Sequence, residues 1–554
     1  MSAFTLQRER LYLLLTLAAL GGLVLSACQP LSLHVSEVNQ TGERLKVSAA
    51  DCSYGGEIQS IEALDGQTVQ FTLCESDPAF LSKVASPVFS IQDRAVLNET
   101  QGDSDLLSAA PNASGPYQLV SLSADALTLR PNPYYWGTPA RIQTLVIKWS
   151  LSDVQAMNQL GIGEINAINN LNPVYLVRYI NNQRYNLFYR PSTNVGYLGM
   201  NNQIAPFDDV RVRQGISMLL DRQQLLNDAY PSGSGLADQF LSATFSPGHT
   251  LALPWLDYNL QAGVDLLKQA GFDFTREYNL YYDPESTEYF PMPTRVAEDI
   301  RDQLAESGIQ VKLFPVVKEK FSAEINQGLY ELFLNGWVAD YPDANAFYQT
   351  VFVNNAQQFG EPYVEIQNAA SIAAHQPETT ARKSAYDDLN TLVRDMTPAI
   401  PLAYGGEVAL FQNKITGVQI GPLAENFSQI ISPDETLIFV QKNPPTSLWP
   451  ADEKDTDTLR IARLLYTTLV SYANDSIEIQ PALAESWEVN ADDTVFVFHL
   501  RPDAHFLNGK LIDANDVVAS FSAIWNSADP NHRGNSGEFQ VFKEFFGDFM
   551  SQGQ

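Results

Sequence analysis

The side chains that could do covalent or metal chemistry are few and poorly grouped. Six histidines and three cysteines are spread through 554 residues. The closest histidines, His499 and His505, fall in one hairpin-and-turn stretch, FVFHLRPDAHF. A tetrahedral zinc site needs four donors, more than the sequence supplies around that pair, so structural roles are expected. No metal or cofactor is implied. No Gly-x-Ser-x-Gly elbow, Walker loop or Cys-x-x-Cys is present, so the sequence signatures of a serine hydrolase, a P-loop enzyme and a dithiol reductase are missing. Asp and Glu number 64, enough to draw a glycosidase-like carboxylate pair almost anywhere. Nothing singles one out. A secreted glycosidase stands as the enzyme alternative, and binding without catalysis as the expectation.

Against those acids stand 34 Lys and Arg, giving a formal net charge of −30. Neutralising phosphates needs clustered cations, so a nucleic-acid partner is not expected. Such a field accepts neutral or cationic ligands more easily, although acidity also simply keeps an exported protein soluble. Export is signalled at the start. MSAFTLQRER carries Arg8 and Arg10, and LYLLLTLAALGGLVL (11–25) is an apolar run of fifteen. That is short of the ~20 residues that span a bilayer as a helix. LSAC follows, ending in Cys28. The three parts together resemble a bacterial lipoprotein signal over 1–27, with Cys28 acylated after cleavage. The alternatives are ordinary secretory cleavage near Ala27 or an uncleaved anchor. Residues 28–53 would tether the body to the membrane lipid, keeping it extracytoplasmic.

Two cysteines remain, Cys52 and Cys74, and outside the cytoplasm an even pair suggests a disulfide. Between them EIQSIEALDGQTVQFTL alternates around Asp65-Gly66, a two-residue hairpin signal. That register sets Cys74 opposite Glu57, with Cys52 just beyond a flexible YGG (54–56). Two buried free thiols are the alternative.

The elements that must position any site read as α/β layers. DPAFLSKVASPVFSI (77–91) predicts a short helix and a buried segment, and NETQGDSDLLSAAPNASG (98–115) a loop. PYQLVSLSADALTLRPNPYYWG predicts two strands and a turn. In VGYLGMNNQIAPFDDVRVRQGISMLLDRQQLL a strand leads to an amphipathic helix capped by Asp208 or Asp209. PTRVAEDIRDQLAESGIQVKLFPV (293–316) puts Val296, Ile300 and Leu304 on one stripe, stops at Gly308 and enters a strand. Helix–strand alternation of this kind builds α/β layers. ELFLNGWVADYPDANAF (331–347) is a strand running into an aromatic, acidic loop. Late in the chain ESWEVNADDTVFVFHL predicts a hairpin and DANDVVASFSAIW a helix capped by Asp513.

These segments resemble the extracytoplasmic solute-binding proteins of peptide-type ABC transporters, the oligopeptide and dipeptide receptors. LAESWEVNADDTVFVFHLRPDAHFLNGKLIDANDVVASF (483–521) looks like their signature hairpin and helix. SGPYQLVSL, LRPNPYYWG, APFDDVRVRQGISMLLDR and GWVADYPDANAF look like four further motifs. The resemblance implies a type II periplasmic-binding-protein fold of the peptide-binding class, two lobes plus an extra domain, with ligand held between lobes that close by a hinge. Captured oligopeptide would be delivered to a membrane permease by a monomeric receptor. The alternative within the fold is an oligosaccharide or another small solute.

The same resemblance points to site residues. Asp340 in GWVADYP matches the Asp that holds a peptide's α-ammonium, and a carboxylate in a closed cleft is costly until a cation meets it. Trp337 and Tyr341 would supply aromatic walls. Thr446 to Trp449 match a segment that offers backbone hydrogen bonds, and Ser114, Gly115 and Tyr117 match a stretch near the cleft. The competing readings are a loop cap for Asp340, core packing for Trp337, and turn or core roles for the others. Dipeptide receptors carry an Arg where this chain has Thr287; Arg295 is out of register.

The family order is broken. The Ala-Glu-Ser-Trp run opens these receptors, yet here it lies near Gln554. A circular permutant is expected, with the old junction near 421–437; a fusion of two receptor genes is the alternative. The domains then read 54–111 with 461–554 (extra domain), 112–205 with 405–460 (first lobe) and 206–404 (second lobe). That agrees with the three or four domains this length favours at ~150 residues each.

Overall fold

A computed structural model describes residues 44–286, 288–423 and 425–551. The expected signal segment, Cys28 and Thr287 lie outside the described residues. Three large sheets and a two-stranded one, Val470–Tyr472 with Ile479–Pro481, organise the described residues. The first is antiparallel, in the order Lys46–Ser48, Ile58–Ala63, Thr68–Leu73, Val495–Leu500, Ala484–Val489. Asp65 closes the first hairpin by accepting from the Gln67 amide at 2.8 Å. Alternation then buries Val69, Phe71 and Leu73 on the face that Phe496, Phe498 and Leu500 share. The helix Ala514–Trp525 covers this face, its Phe521 ring 4.9 Å from that of Phe71. Asp513 and Asp516 cap its start reciprocally. Residues from both ends of the sequence thus build one sheet.

The second sheet runs Gly235–Leu236, Ala399–Tyr404, Asn194–Met200, Leu332–Val338, Glu277–Tyr282, Gln310–Pro315. Its last two strands are parallel, joined through the helix Pro293–Glu306. Val296, Ile300 and Leu304 of that helix are buried, and Gly308, at φ +86°, lets the chain turn into the next strand. The third sheet has seven strands, Tyr117–Leu122, Ala126–Pro131, Thr144–Lys148, Thr436–Val440, Ala167–Ile168, Glu407–Gln412 and Tyr185–Arg190. It is packed on both faces, with the helix Thr456–Leu465 on one and Asp153–Ile162 on the other.

Several expected boundaries move. Asn194–Met200 pairs with Leu332–Val338 and Ala399–Tyr404, so residues 194–205 leave the first lobe for the second. The chain crosses between those sheets at 191–193 and again at 405–406. Ile461, Leu464 and Leu465 fill the first lobe's core, so the helix that a boundary at 460 would split belongs there whole. Lys46–Ser48 is a strand of the extra domain's sheet, which removes 46–53 from the tether. The 98–115 stretch holds the end of Arg94–Thr100 and all of Ser104–Ala109, helices begun by Asp93 and Asp103 side chains. Its polar composition reflects capping rather than a loop.

Candidate functional site

The strand Leu332–Val338 is central in its sheet, paired on both sides. Its ladder ends with the Ala339 amide donating to Thr193 O at 2.9 Å. Asp340 is therefore the first residue off the sheet, beside one of the crossings between lobes. Its side chain is open to solvent, yet protein crowds it from several sides. Desolvation first, then the Glu544 carboxylate, push its pKa up to about 7, with Lys454 pulling the other way. Asp340 is thus exposed at its surface while surrounding protein desolvates its carboxylate. No protein hydrogen bond contributes to holding its charge.

Its charged neighbours come from far along the chain. Lys454 Nζ donates to Gln540 Oε1 at 2.8 Å, on the helix Gln540–Phe546 that also carries Glu544. Asp452 fastens the loop before that helix, accepting from the Gly537 amide at 2.8 Å and the Phe539 amide at 2.7 Å. Trp449, 2% exposed, stands edge-on to Phe539 at 6.2 Å. Nothing in local spacing links these segments to Asp340; only the broken family order hinted that the tail belonged here.

The other expected ligand contacts are mostly spent on packing. Trp337 is wedged between Phe245 at 5.5 Å and Phe347 at 5.4 Å, a core position rather than a cleft wall. Tyr341, 4% exposed, meets Phe545 at 4.5 Å. The amides of Thr446, Leu448 and Trp449 donate to Thr458, Ser108 and Ser447 hydroxyls at 2.9, 2.8 and 3.0 Å, so they are not free for a ligand. The Thr446 hydroxyl is bonded to Glu453. Ser114, Gly115 and Tyr117 clamp the end of the helix Thr456–Leu465. The Ser114 and Gly115 amides donate to Leu465 O at 2.9 and 2.8 Å, and Ser114 Oγ accepts from the Thr467 amide at 3.0 Å. A Cβ on Gly115 would sit 2.8 Å from Leu464 O. Tyr117 is fully buried in the first lobe, and burial lifts its phenol well above the ordinary range. These three are turn and core residues. Arg295 is occupied by Asp299 at 2.9 Å.

Cys52 and Cys74 are joined, with Cα atoms 5.6 Å apart, and the Cys74 amide donates to Glu57 O at 2.7 Å. Among the described residues no group of three His, Cys, Asp or Glu could hold a metal ion. No described helix is long and apolar enough to cross a membrane.

Comparison with known proteins follows the same lines. Residues 35–359 and 478–545 match the bacterial extracellular solute-binding proteins, family 5 middle. The chain is 25% identical to the dipeptide-binding protein of Escherichia coli K12 over 383 residues, 68% of this chain and 71% of that one. Among solved structures, HbpA2 from Haemophilus parasuis superposes with a TM-score of 0.62 at 22% identity, covering 68% of this chain and 76% of that one. DppA from Helicobacter pylori, solved with the peptide STSA, gives 0.56 at 21% identity, covering 68% and 74%. These structures share the type II α/β fold. With the family matched over well more than half of its length, the chain belongs to the bacterial extracellular solute-binding proteins of family 5, the peptide-type receptors that its motifs resemble.

Proposed function

We propose that this protein captures short peptides by their free N-terminus and delivers them to the permease of an ABC transporter, without covalent change. The observation that carries this reading is Asp340, an exposed carboxylate at the edge of the second lobe that makes no hydrogen bond or salt bridge among the described residues, with its pKa pushed up to about 7 by desolvation and Glu544 against the pull of Lys454. A peptide ammonium supplies the missing charge and three donors. The relatives named as a dipeptide-binding protein and as a receptor holding STSA support it. Trp337 and Tyr341, the rings nearest Asp340 in sequence, are spent in packing, which weighs against stacking on a sugar. Mass spectrometry of ligand co-purifying with the exported protein tests the assignment. Peptides of a few residues support it; a carbohydrate overturns it.

The receptor works as a monomer held at the outer face by a lipid on Cys28. Its altered order is a circular permutation. The support is spatial: residues 546–548 run back to 55–57, the Glu57 amide donating to Phe546 O at 2.8 Å and the Asp548 amide to Gly55 O at 3.2 Å. Thr68–Leu73 and Val495–Leu500 are neighbouring strands. One fold of this kind uses head and tail once each.

A further inference from the structure

We propose that Tyr341 and Phe545 form a closing latch between the second lobe and the extra domain, and that a ligand cation beside Asp340 releases the repulsion that holds the latch open. Tyr341 is thus a positioning residue for Asp340. The inference rests on the reading of Asp340 as an ammonium site.

The second lobe joins the first through the crossings at 191–193 and 405–406. It also touches the extra domain through Tyr341. That ring packs on Phe545 at 4.5 Å with a 69° tilt, and Lys83 Nζ lies 5.9 Å from its centroid. At the rim, His375 Nε2 stands 3.4 Å from Glu75 Oε2.

The charges behind this contact are balanced on their own sides. Lys83, almost fully buried, is met by Glu57 at 2.7 Å and Asp77 at 3.0 Å, all in the extra domain. Arg382 is met by Asp343 at 2.8 Å, both in the second lobe. A boundary fixed for good gains by pairing ions across it. Here separation strands no buried charge, whose cost would be several kcal/mol. What parts is an aromatic contact, the Lys83 approach to the Tyr341 ring and an exposed His375–Glu75 contact, each of little worth. The boundary is built to open.

Sequence adjacency couples the latch to the site. Tyr341 follows Asp340, and Phe545 follows Glu544. Seating one ring on the other draws Asp340 and Glu544 together, and Lys454 offsets only part of their repulsion, so the empty site resists closure. A cation placed between them removes that resistance, which is the differential affinity a ligand needs to shift a two-state equilibrium.

Two measurements test this. Stopped-flow dissociation of tri-alanine should quicken about fivefold or more in Tyr341→Ala and in Phe545→Ala, with association changed less than about twofold, since an aromatic pair is worth roughly 2- to 12-fold in an equilibrium. Tyr341→Phe keeps the ring and should restore the wild-type rate. Small-angle scattering of ligand-free protein provides an arm that needs no peptide. Glu544→Gln should be more compact than wild type, and adding Tyr341→Ala should reverse the compaction. If wild type ignores tri-alanine, the peptide reading falls and scattering alone decides the latch. Unchanged dissociation in both alanine variants, with melting curves like wild type, overturns the latch. So does identical scattering from wild type, Glu544→Gln and the double variant.

Discussion

Replacing Asp340 by Asn keeps the shape of the side chain and removes its charge. If a peptide ammonium pairs with this carboxylate, deleting one partner of a desolvated pair costs ~2–5 kcal/mol, a loss of about 30-fold or more in affinity. Calorimetry on both proteins, with tri-alanine and its N-acetylated form, makes a double-mutant cycle. The loss should appear with the free peptide and largely vanish with the acetylated one, which wild type should already bind poorly. The same carboxylate sets a pH profile. With the free protein's group titrating near 7, affinity should fall as pH drops below about 7, approaching tenfold per unit. Above about 8 it should fall again as the peptide's own amine deprotonates. Asp340→Asn should lose the acid limb and keep the other. Coupling near zero, with wild-type affinity for free tri-alanine and an unaltered acid limb, would remove Asp340 from the site.

Four further outcomes are expected. Cys28→Ser should abolish metabolic labelling with a fatty acid; equal labelling refutes the lipid anchor. A non-reducing peptide map should link Cys52 to Cys74, and replacing both by Ala should destabilise the protein by ~2–4 kcal/mol in urea. Phe71→Ala removes a fully buried ring that touches Phe498 and Phe521 of the tail, and should cost ~3–5 kcal/mol. A loss under ~1 kcal/mol would mean that head and tail do not share this core. Joining the tail to the head by a short linker and reopening the chain at the exposed turn by Asp434 should restore the family order and retain binding; an unfolded product counts against permutation.

Much of the fold was legible because local rules decide it. The hairpin at Asp65-Gly66, the stripe of Val296, Ile300 and Leu304, and the Asp513 cap all follow from spacing within a dozen residues. Boundaries were not. Whether 194–205 or 461–465 belongs to one lobe or another depends on which sheet or core receives the element, and each segment's own pattern is satisfied by either. The site divided the same way. Motif resemblance found Asp340. It also pointed to Trp337, Tyr341, Ser114 and Tyr117, because residues that hold a site and residues that touch ligand recur together in a motif. Their burial separates the two. Lys454 and Glu544 carried no signal, since a charged residue in a polar stretch looks solvated until folding brings another segment beside it.

The rest of the molecule shows why Asp340 stands apart. Several acids buried for structure are paired with a cation, whereas Glu453 is met by the Thr446 hydroxyl. Glu425 is fully buried, and burial alone would raise its pKa; Arg460 at 2.9 Å and Arg190 outweigh that and draw it down to about 2. Asp343 has Arg382, and Asp77 has Lys83. The two classes have opposite consequences for stability. A depressed carboxyl such as Glu425 contributes stability that is present above its unfolded pKa, near 4.5, and lost as pH falls toward 2. A raised one such as Asp340 opposes folding when ionised, above about 7, and is relieved as pH falls. Asp340→Asn should therefore melt no lower than wild type at pH 8, while losing affinity. A residue that weakens the fold and strengthens binding is one retained for its ligand. In this protein that ligand must bring the cation that Glu425, Asp343 and Asp77 already have.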